Sequence, residues 1–213
     1  MLSNNVYSNL AKLLEDSHFG FMDPVLLRRI FVLFARDLFS DADNYAEYAS
    51  LSELIYTDTK STRKLDVDLD FIYDPEEISK KPAVYVGTGD TLFKKQVIDN
   101  FNETPSDSVT GVTAEAKTSI IIKHVSTEVD VSLMLATLST NYFTAIRPII
   151  FQNVPHLLSY ETQSLSKPNL IEGSKIKAFQ TNVTIDLAFN AAWRIIEESH
   201  LIKSVHTDLN PAG

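Results

Sequence analysis

The 213-residue sequence contains no cysteine, which excludes disulfide bonds, thiolate zinc sites and cysteine nucleophiles. It is also short of positive charge, because 19 lysines and arginines face 28 aspartates and glutamates, for a formal net charge of −9. This balance argues against a dedicated DNA binder, which needs a basic patch for phosphates. It does not exclude a protein past which DNA slides without sticking. The absence of cysteine favours an intracellular origin.

Long apolar runs are missing as well. No stretch of about 18 uncharged apolar residues is present, so we expect no membrane-spanning helix. The N-terminus lacks a basic region followed by an apolar run and a small-residue cleavage site, so we expect no signal peptide. Catalytic patterns such as Gly-x-Ser-x-Gly and His-Glu-x-x-His do not occur. We therefore predict that the protein is not an enzyme and requires no cofactor or metal.

What the chain does contain is a long alternation of apolar and polar residues over 177–196. The odd positions from Phe179 to Ile195 are almost all apolar, whereas most even positions are polar. Because side chains of an extended chain alternate between two faces, this pattern predicts one very long strand, or two strands joined by a bend at 188–192. A helix over 186–197 is the alternative, since these residues also tolerate a period of 3.6.

The N-terminal part of the sequence predicts two helices. Residues 4–16 carry leucines and a valine at helical spacing, which predicts a short helix that must dock on something. Asp23 followed by Pro24 is a strong helix start, because aspartate caps free N–H groups and proline fits the first helical position. We expect the second helix over about 24–39, with apolar residues on most of its circumference.

The remaining elements predict an α+β domain. Alternation or apolar runs predict strands at 54–58, 65–74, 82–90 and 115–126, and an edge strand near 157–162. Thr127 is expected to cap an amphipathic helix over about 128–146, and His124 is interpreted as a structural residue. We predict an antiparallel or mixed β-sheet covered by amphipathic helices, with a helical segment at 1–40 and the α+β domain at 41–213.

Three aspartates alternate with apolar residues in the second strand, at Asp66, Asp68 and Asp70. A calcium loop is one interpretation, because the spacing from Asp66 to Glu77 fits a twelve-residue loop. The sixth position of such a loop should be glycine, however, and here it is Phe71. We therefore interpret the aspartates as a solvated acidic strand face and as candidate interface residues, which could contact a neighbouring subunit or repel DNA from a lumen.

Three sequence patterns occur in the order in which a known family has them. They are a strand of the type Pro-apolar-apolar-Tyr-Val-Gly-x-Gly-Asp at 82–90, a strand leading into an amphipathic helix at 118–147, and a long closing strand with Trp193, Ile195, Glu198 and Ser199. With the apolar N-terminal helix, this order resembles the neck proteins of tailed bacteriophages, and most of all the tail terminator, or tail completion, proteins of long-tailed phages. The resemblance covers residues 24–205.

This resemblance implies a virion structural protein that assembles in the host cytoplasm into a ring, commonly a hexamer. In that family the ring caps the tail at the head–tail joint. The implied partners are other copies of the chain, the tail tube or sheath proteins and the head connector proteins, with no membrane and with DNA passing through unbound. The alternatives are another neck component (a head-completion, connector or sheath-associated protein) or, from a different class, a small soluble enzyme or ligand-binding domain.

Overall fold

The computed structural model of the protein describes residues 4–15, 23–45, 48–70, 81–95, 109–171 and 177–196. The described helices are α1 (Asn4–Glu15), α2 (Pro24–Ser40), α3 (Val129–Ala145) and α4 (Arg147–Asn153), with short 3-10 turns at Ala42–Tyr45 and Ala49–Leu51. The described strands are β1 (Asp66–Leu69), β2 (Ala83–Thr88), β3 (Leu92–Lys95), β4 (Val109–Ser126), β5 (Leu157–Leu165), β6 (Asn169–Leu170) and β7 (Phe179–Ile196).

The strands form one mixed sheet in the order β1-β2-β4-β7-β5, with β3 also pairing β4 and β6 also pairing β7. The β1–β2 pair is parallel and the other pairs are antiparallel. Helices α2 and α3 pack on this sheet, α2 against β1, β2 and β4, and α3 against β4, β7 and β5. The α+β architecture with a mixed sheet and N-terminal helices is therefore as the sequence predicted.

The central strands β4 and β7 have 18 residues each and pair along their whole length, from Val109 opposite Ile196 to Ser126 opposite Phe179. At about 3.3 Å per residue, each spans on the order of 60 Å. The alternation in β7 sorts its faces, because the odd-numbered residues from 181 to 191 are buried whereas most even-numbered ones are half-buried. The prediction of one very long strand is confirmed, and the helical alternative is wrong. The side chain of Trp193 lies outside the described residues.

The larger of two apolar clusters joins the helices to the sheet and forms the main core. At its centre, the ring of Phe31 in α2 stacks on Phe143 in α3 at 5.5 Å and on Tyr160 in β5 at 6.1 Å between ring centroids. The Tyr160 hydroxyl donates to the Phe143 carbonyl at 3.0 Å. Each such buried aromatic ring stabilises the fold by roughly 2–3 kcal/mol, so α2 belongs to the same core as the sheet.

The start of α2 is as the sequence predicted, but the start of α3 is not. The Leu26 amide donates to Asp23 Oδ1 at 2.8 Å, and Pro24 occupies the first helical turn. In α3, the N-cap position is Glu128 and its side chain makes no capping bond. The prediction that Thr127 caps α3 is wrong. The side chain that bonds to the backbone before α3 is Ser126, whose hydroxyl accepts from the Glu128 amide at 3.1 Å.

Other segments also differ from prediction. Residues 54–58 do not form a strand, because the Tyr56 amide donates to the carbonyl at the end of α2, Phe39, at 2.8 Å. Strand β1 is shorter than the predicted 65–74, and residues 71–80 lie outside the described part. Strand β4 starts at Val109 rather than at residue 115, and helix α4 was not predicted. The chain beyond residue 196 is outside the described part too.

His124 is fully buried, with 0% of its surface exposed, between β4, β7 and α3. Its Nε2 lies 2.7 Å from the Ser139 hydroxyl and its Nδ1 lies 3.2 Å from the Thr181 carbonyl. Ser132 completes the network, donating to the His124 carbonyl at 2.9 Å and lying 2.7 Å from the Thr181 hydroxyl. These bonds satisfy the buried polar groups and fix α3 on the sheet. The interpretation of His124 as structural is confirmed.

We expect this histidine to make the fold acid-sensitive. Desolvation by burial lowers the pKa of His124 to about 4, whereas an unfolded histidine titrates near pH ~6.5. Between these values only the unfolded chain binds the proton, so the free energy of unfolding falls as the pH drops from about 6.5 to 4, by up to roughly 3 kcal/mol. Urea unfolding at several pH values measures this slope. His124→Gln should flatten it, and the matched control His156→Asn, at an exposed histidine with φ 63°, should not. An unchanged slope in His124→Gln would contradict the assignment.

Candidate interaction surfaces

Asp66 lies at the start of the edge strand β1 and is 8% exposed. Its Oδ1 accepts from Arg63 Nη1 at 3.1 Å, and its Oδ2 pairs with Lys81 Nζ at 2.9 Å. Arg63 also donates to the Thr57 carbonyl at 2.8 Å and lies 4.7 Å above the Tyr56 ring. Asp66 therefore ties the loop before β1 to the strand and to Lys81, two residues before β2.

Asp68 caps the outer side of β1. Its Oδ1 accepts from the Leu69 amide at 2.9 Å and lies 3.5 Å from Arg36 Nη2 of α2. The Arg36 Nε in turn donates to the Val67 carbonyl at 3.1 Å. Two backbone groups on this edge are thus bonded to side chains, and an edge blocked in this way cannot easily accept a further strand.

Asp70 follows β1 and lies over β2. Its Oδ2 is 3.5 Å from Lys123 Nζ of β4, and its Oδ1 is 3.8 Å from Arg28 Nη1 of α2. A Cβ built on Gly87 would overlap Asp70 Oδ2 and would lie 2.8 Å from its Cγ. Gly87 therefore leaves the space into which this carboxylate fits.

The structure corrects the expectation of a solvated acidic face. Each of Asp66, Asp68 and Asp70 has at least one basic partner within the chain, and Asp66 is buried rather than exposed. Pairing lowers the cost of placing three carboxylates along one short strand. Among the described residues no cluster of three metal-ligating side chains occurs, and Glu77 of the calcium-loop hypothesis lies outside them.

The face of the sheet opposite α2 and α3 has a small buried apolar cluster at one end, formed by Ala83, Tyr85, Val125 and Ala178, and is polar in its middle. A groove of about 400 Å³ crosses it where β4, β7 and β5 meet, lined among others by Asp90, Lys117, Ser119, Glu161 and Asp186. The Ser119 hydroxyl donates to Asp186 Oδ1 at 2.6 Å. This face offers donors and acceptors at mid-sheet, which suits contact with another polar protein surface.

One end of the β4–β7 pair extends beyond the rest of the sheet. Strand β3 reaches β4 only as far as Ala114, and β5 reaches β7 only as far as Phe189. In the part of the chain that the structure describes, residues 109–113 and 192–196 therefore pair only with each other. We call these two segments the ribbon.

Two large apolar side chains lie on β3, opposite Lys117 and Ala116 of β4, which are four and three residues from the ribbon. Leu92 is 71% exposed and Phe93 is 52% exposed. Because neighbouring residues of a strand point to opposite faces, the two side chains expose apolar groups on different faces of this sheet edge, where another protein could cover them.

Comparison with known proteins places the chain in no family. No family model matches the sequence, and no curated protein matches it. Of the described helices, none is both long and apolar enough to cross a membrane.

Sequence reasoning located the three aspartates but missed their basic partners. Lys123 follows Asp70 by 53 residues, and no local pattern links residues so far apart. It also missed the exposed pair on β3, because a leucine and a phenylalanine after a Gly-x-Gly turn are equally typical of a buried strand. The one signal in the sequence for the placement of Asp70 was Gly87, because glycine is rare inside a β-strand and marks a close approach of another group.

We predict that Gly87→Ala destabilises the protein through Asp70. The new methyl group would push the carboxylate away from Lys123, at a cost of about 1–2 kcal/mol in the free energy of unfolding. In the Asp70→Ala background the same change should cost less than about 0.5 kcal/mol, because the obstructing carboxylate is gone. Denaturant unfolding of the four proteins in this double-mutant cycle measures the coupling. Equal costs in both backgrounds would mean that Gly87 is needed for a reason unrelated to Asp70.

Proposed function

We propose that this protein is a virion structural protein, the tail terminator at the head–tail joint of a tailed phage. In this role it forms a ring of identical subunits that caps the tail and connects it to the head. The single observation that carries the assembly role is the ribbon, whose segments 109–113 and 192–196 have no third strand in the described part of the chain.

A ribbon of this kind supports assembly on physical grounds. Two paired strands without a third are only marginally stable in water, because too little apolar surface is buried to offset the ordering of the backbone. A neighbouring subunit that packs on the ribbon and on the exposed Leu92 would supply the missing burial. In a closed ring the same pair of surfaces meets at every interface, so one ribbon per subunit serves the whole ring.

The choice of a tail terminator rests on the order of elements. The patterns that carry the family resemblance fall on β2, on β4 followed by α3 and, for Trp193 and Ile195, on β7, which are the central strands of the sheet and its covering helix. Glu198 and Ser199 lie outside the described residues. A net charge of −9 suits a lumen through which DNA passes without binding. Asp68 and Asp70, half-buried with their arginine partners at the sheet edge, are the acidic groups that a neighbour or a tail protein could contact.

The proposal is tested by the mass of the protein in solution, measured by light scattering across a concentration series, and by negative-stain images of the same fractions, alone and mixed with purified tail tubes. We expect closed rings of about six subunits, or rings that form at one end of the tubes. A protein that stays monomeric and leaves both tube ends bare would overturn the proposal. Another neck component would form rings that bind the head connector but not the tubes.

We predict that Leu92→Glu weakens ring formation without destabilising the subunit. Leu92 is 71% exposed, so a glutamate there loses little burial in the monomer but would place a charge in an apolar contact, at a cost of several kcal/mol per interface. The matched control is Val129→Glu, at the exposed first residue of α3, where an acidic side chain is favourable. Light scattering and thermal melts of both variants measure assembly and stability. Rings of equal stability in both variants would show that β3 lies outside the interface.

A further inference from the structure

A second groove, on the opposite side of the fold from the polar sheet face, lies between α1, α2 and the end of β1. It has a volume of about 440 Å³. Its apolar floor is formed by Leu13, Val32, Leu33 and Leu69, and its charged lining by Lys12, Arg29, Arg36 and Asp68. We call it the α1–α2 groove. It contains none of the ribbon residues, but it includes Asp68, one of the two acidic groups proposed above as a contact with a neighbour.

The groove has a defined charge pattern along α2. Arg29, Val32, Leu33 and Arg36 are spaced at i, i+3, i+4 and i+7, so they lie along one face of the helix. The two arginines are two helical turns apart, which is about 10 Å along the axis at 1.5 Å per residue. The apolar floor therefore lies between two guanidinium groups, with Lys12 of α1 on the opposite wall.

Arg36 is held in place before any ligand arrives. Its Nε donates to the Val67 carbonyl at 3.1 Å, its guanidinium lies 5.4 Å above the Tyr56 ring, and its Nη2 is 3.5 Å from Asp68. Fixing the side chain in this way reduces the conformational entropy lost on binding. Arg29 and Lys12 are exposed, and neither makes an ion pair with a described residue.

The groove is also electrostatically unlike the rest of the chain. Three of the protein's 19 basic residues converge here against one carboxylate, whereas acidic residues outnumber basic ones in the whole sequence. A local positive groove on an acidic protein attracts negatively charged groups.

We propose that the α1–α2 groove binds an acidic, leucine-containing peptide segment of a partner protein. Its two carboxylates would meet Arg29 and Arg36, and the apolar residues between them would cover Val32 and Leu33. In a peptide in the polyproline II conformation, with three residues per turn and a rise of about 3.1 Å per residue, residues i and i+3 lie on the same side and about 9 Å apart, which is close to the spacing of the two arginines. A small anion such as phosphate would leave the apolar floor uncovered, so the peptide fits the groove better.

The test uses the full-length protein and fluorescence anisotropy of a fluorescein-labelled peptide, Gly-Ser-Glu-Leu-Leu-Glu-Ser-Gly. The matched peptide has glutamine in place of both glutamates. We expect Arg29→Glu and Lys12→Glu each to weaken binding by about tenfold or more. Arg147→Glu, which makes the same charge change at an exposed arginine of α4, should leave binding unchanged. Circular dichroism confirms that each variant is folded, and both groove positions are exposed, so folding should survive.

The outcomes separate the proposal from its competitors. Supporting results are tight binding of the glutamate peptide, loss of that binding in both groove variants and weakening between 50 and about 300 mM salt, where surface charges are screened. Equal binding of the glutamine peptide would show that only the apolar floor matters and would overturn the role of the arginines. Displacement by inorganic phosphate at the same concentration as the peptide would identify a small-anion site instead. No binding to the wild-type protein at millimolar peptide would overturn the proposal outright.

Discussion

The full-length pairing of β4 with β7 is the interaction on which the rest of the structure depends. Each strand has 18 residues, and the other described strands attach to one or the other, except β1, which attaches through β2. The apolar face of this pair is covered by α2 and α3, with Phe31, Phe143 and Tyr160 stacked at the centre. Among the described residues the pair extends past the strands beside it, and that end is the ribbon. The length of this strand pair thus explains both the packed core and the ribbon, and the proposed assembly role rests on the ribbon.

The edge strand β1 and the ribbon differ in how their outer backbone groups are bonded. At β1, Asp68 and Arg36 bond to the Leu69 amide and the Val67 carbonyl, which blocks the edge against another strand. At the ribbon, residues 109–113 and 192–196 pair only with each other in the described part of the chain. Side-chain bonds therefore protect the β1 edge, whereas no third strand among the described residues pairs with the ribbon. A subunit built in this way would associate through a chosen surface rather than by indiscriminate strand pairing. The buried His124 network fixes α3 on the sheet and keeps that geometry rigid.

Local patterns in the sequence predicted the elements whose cause is local. The alternation in 177–196 needs only the geometry of an extended chain, and the Asp23–Pro24 start needs only capping chemistry, so both were correct. The prediction of a strand at 54–58 was wrong because the Tyr56 amide donates to the Phe39 carbonyl. This is a tertiary hydrogen bond, which local strand propensity does not predict. The aspartates of β1 were identified as charged, but their burial depends on Arg63, Lys81 and Lys123, which approach from other elements. The α1–α2 groove likewise exists only once two helices and a strand meet.

Hydrogen exchange measures most directly whether the ribbon needs a neighbouring subunit. The amides of 109–113 and 192–196 would be followed by mass spectrometry in dilute protein and in the assembled fraction. We expect fast exchange in the dilute protein and slow exchange after assembly, because opening of an unsupported two-stranded segment costs little free energy. The amides around His124 should exchange slowly in both samples. Ribbon amides that are as protected in a dilute monomer as those around His124 would show that the ribbon is stable without a neighbour, and the proposed assembly role would lose its physical basis.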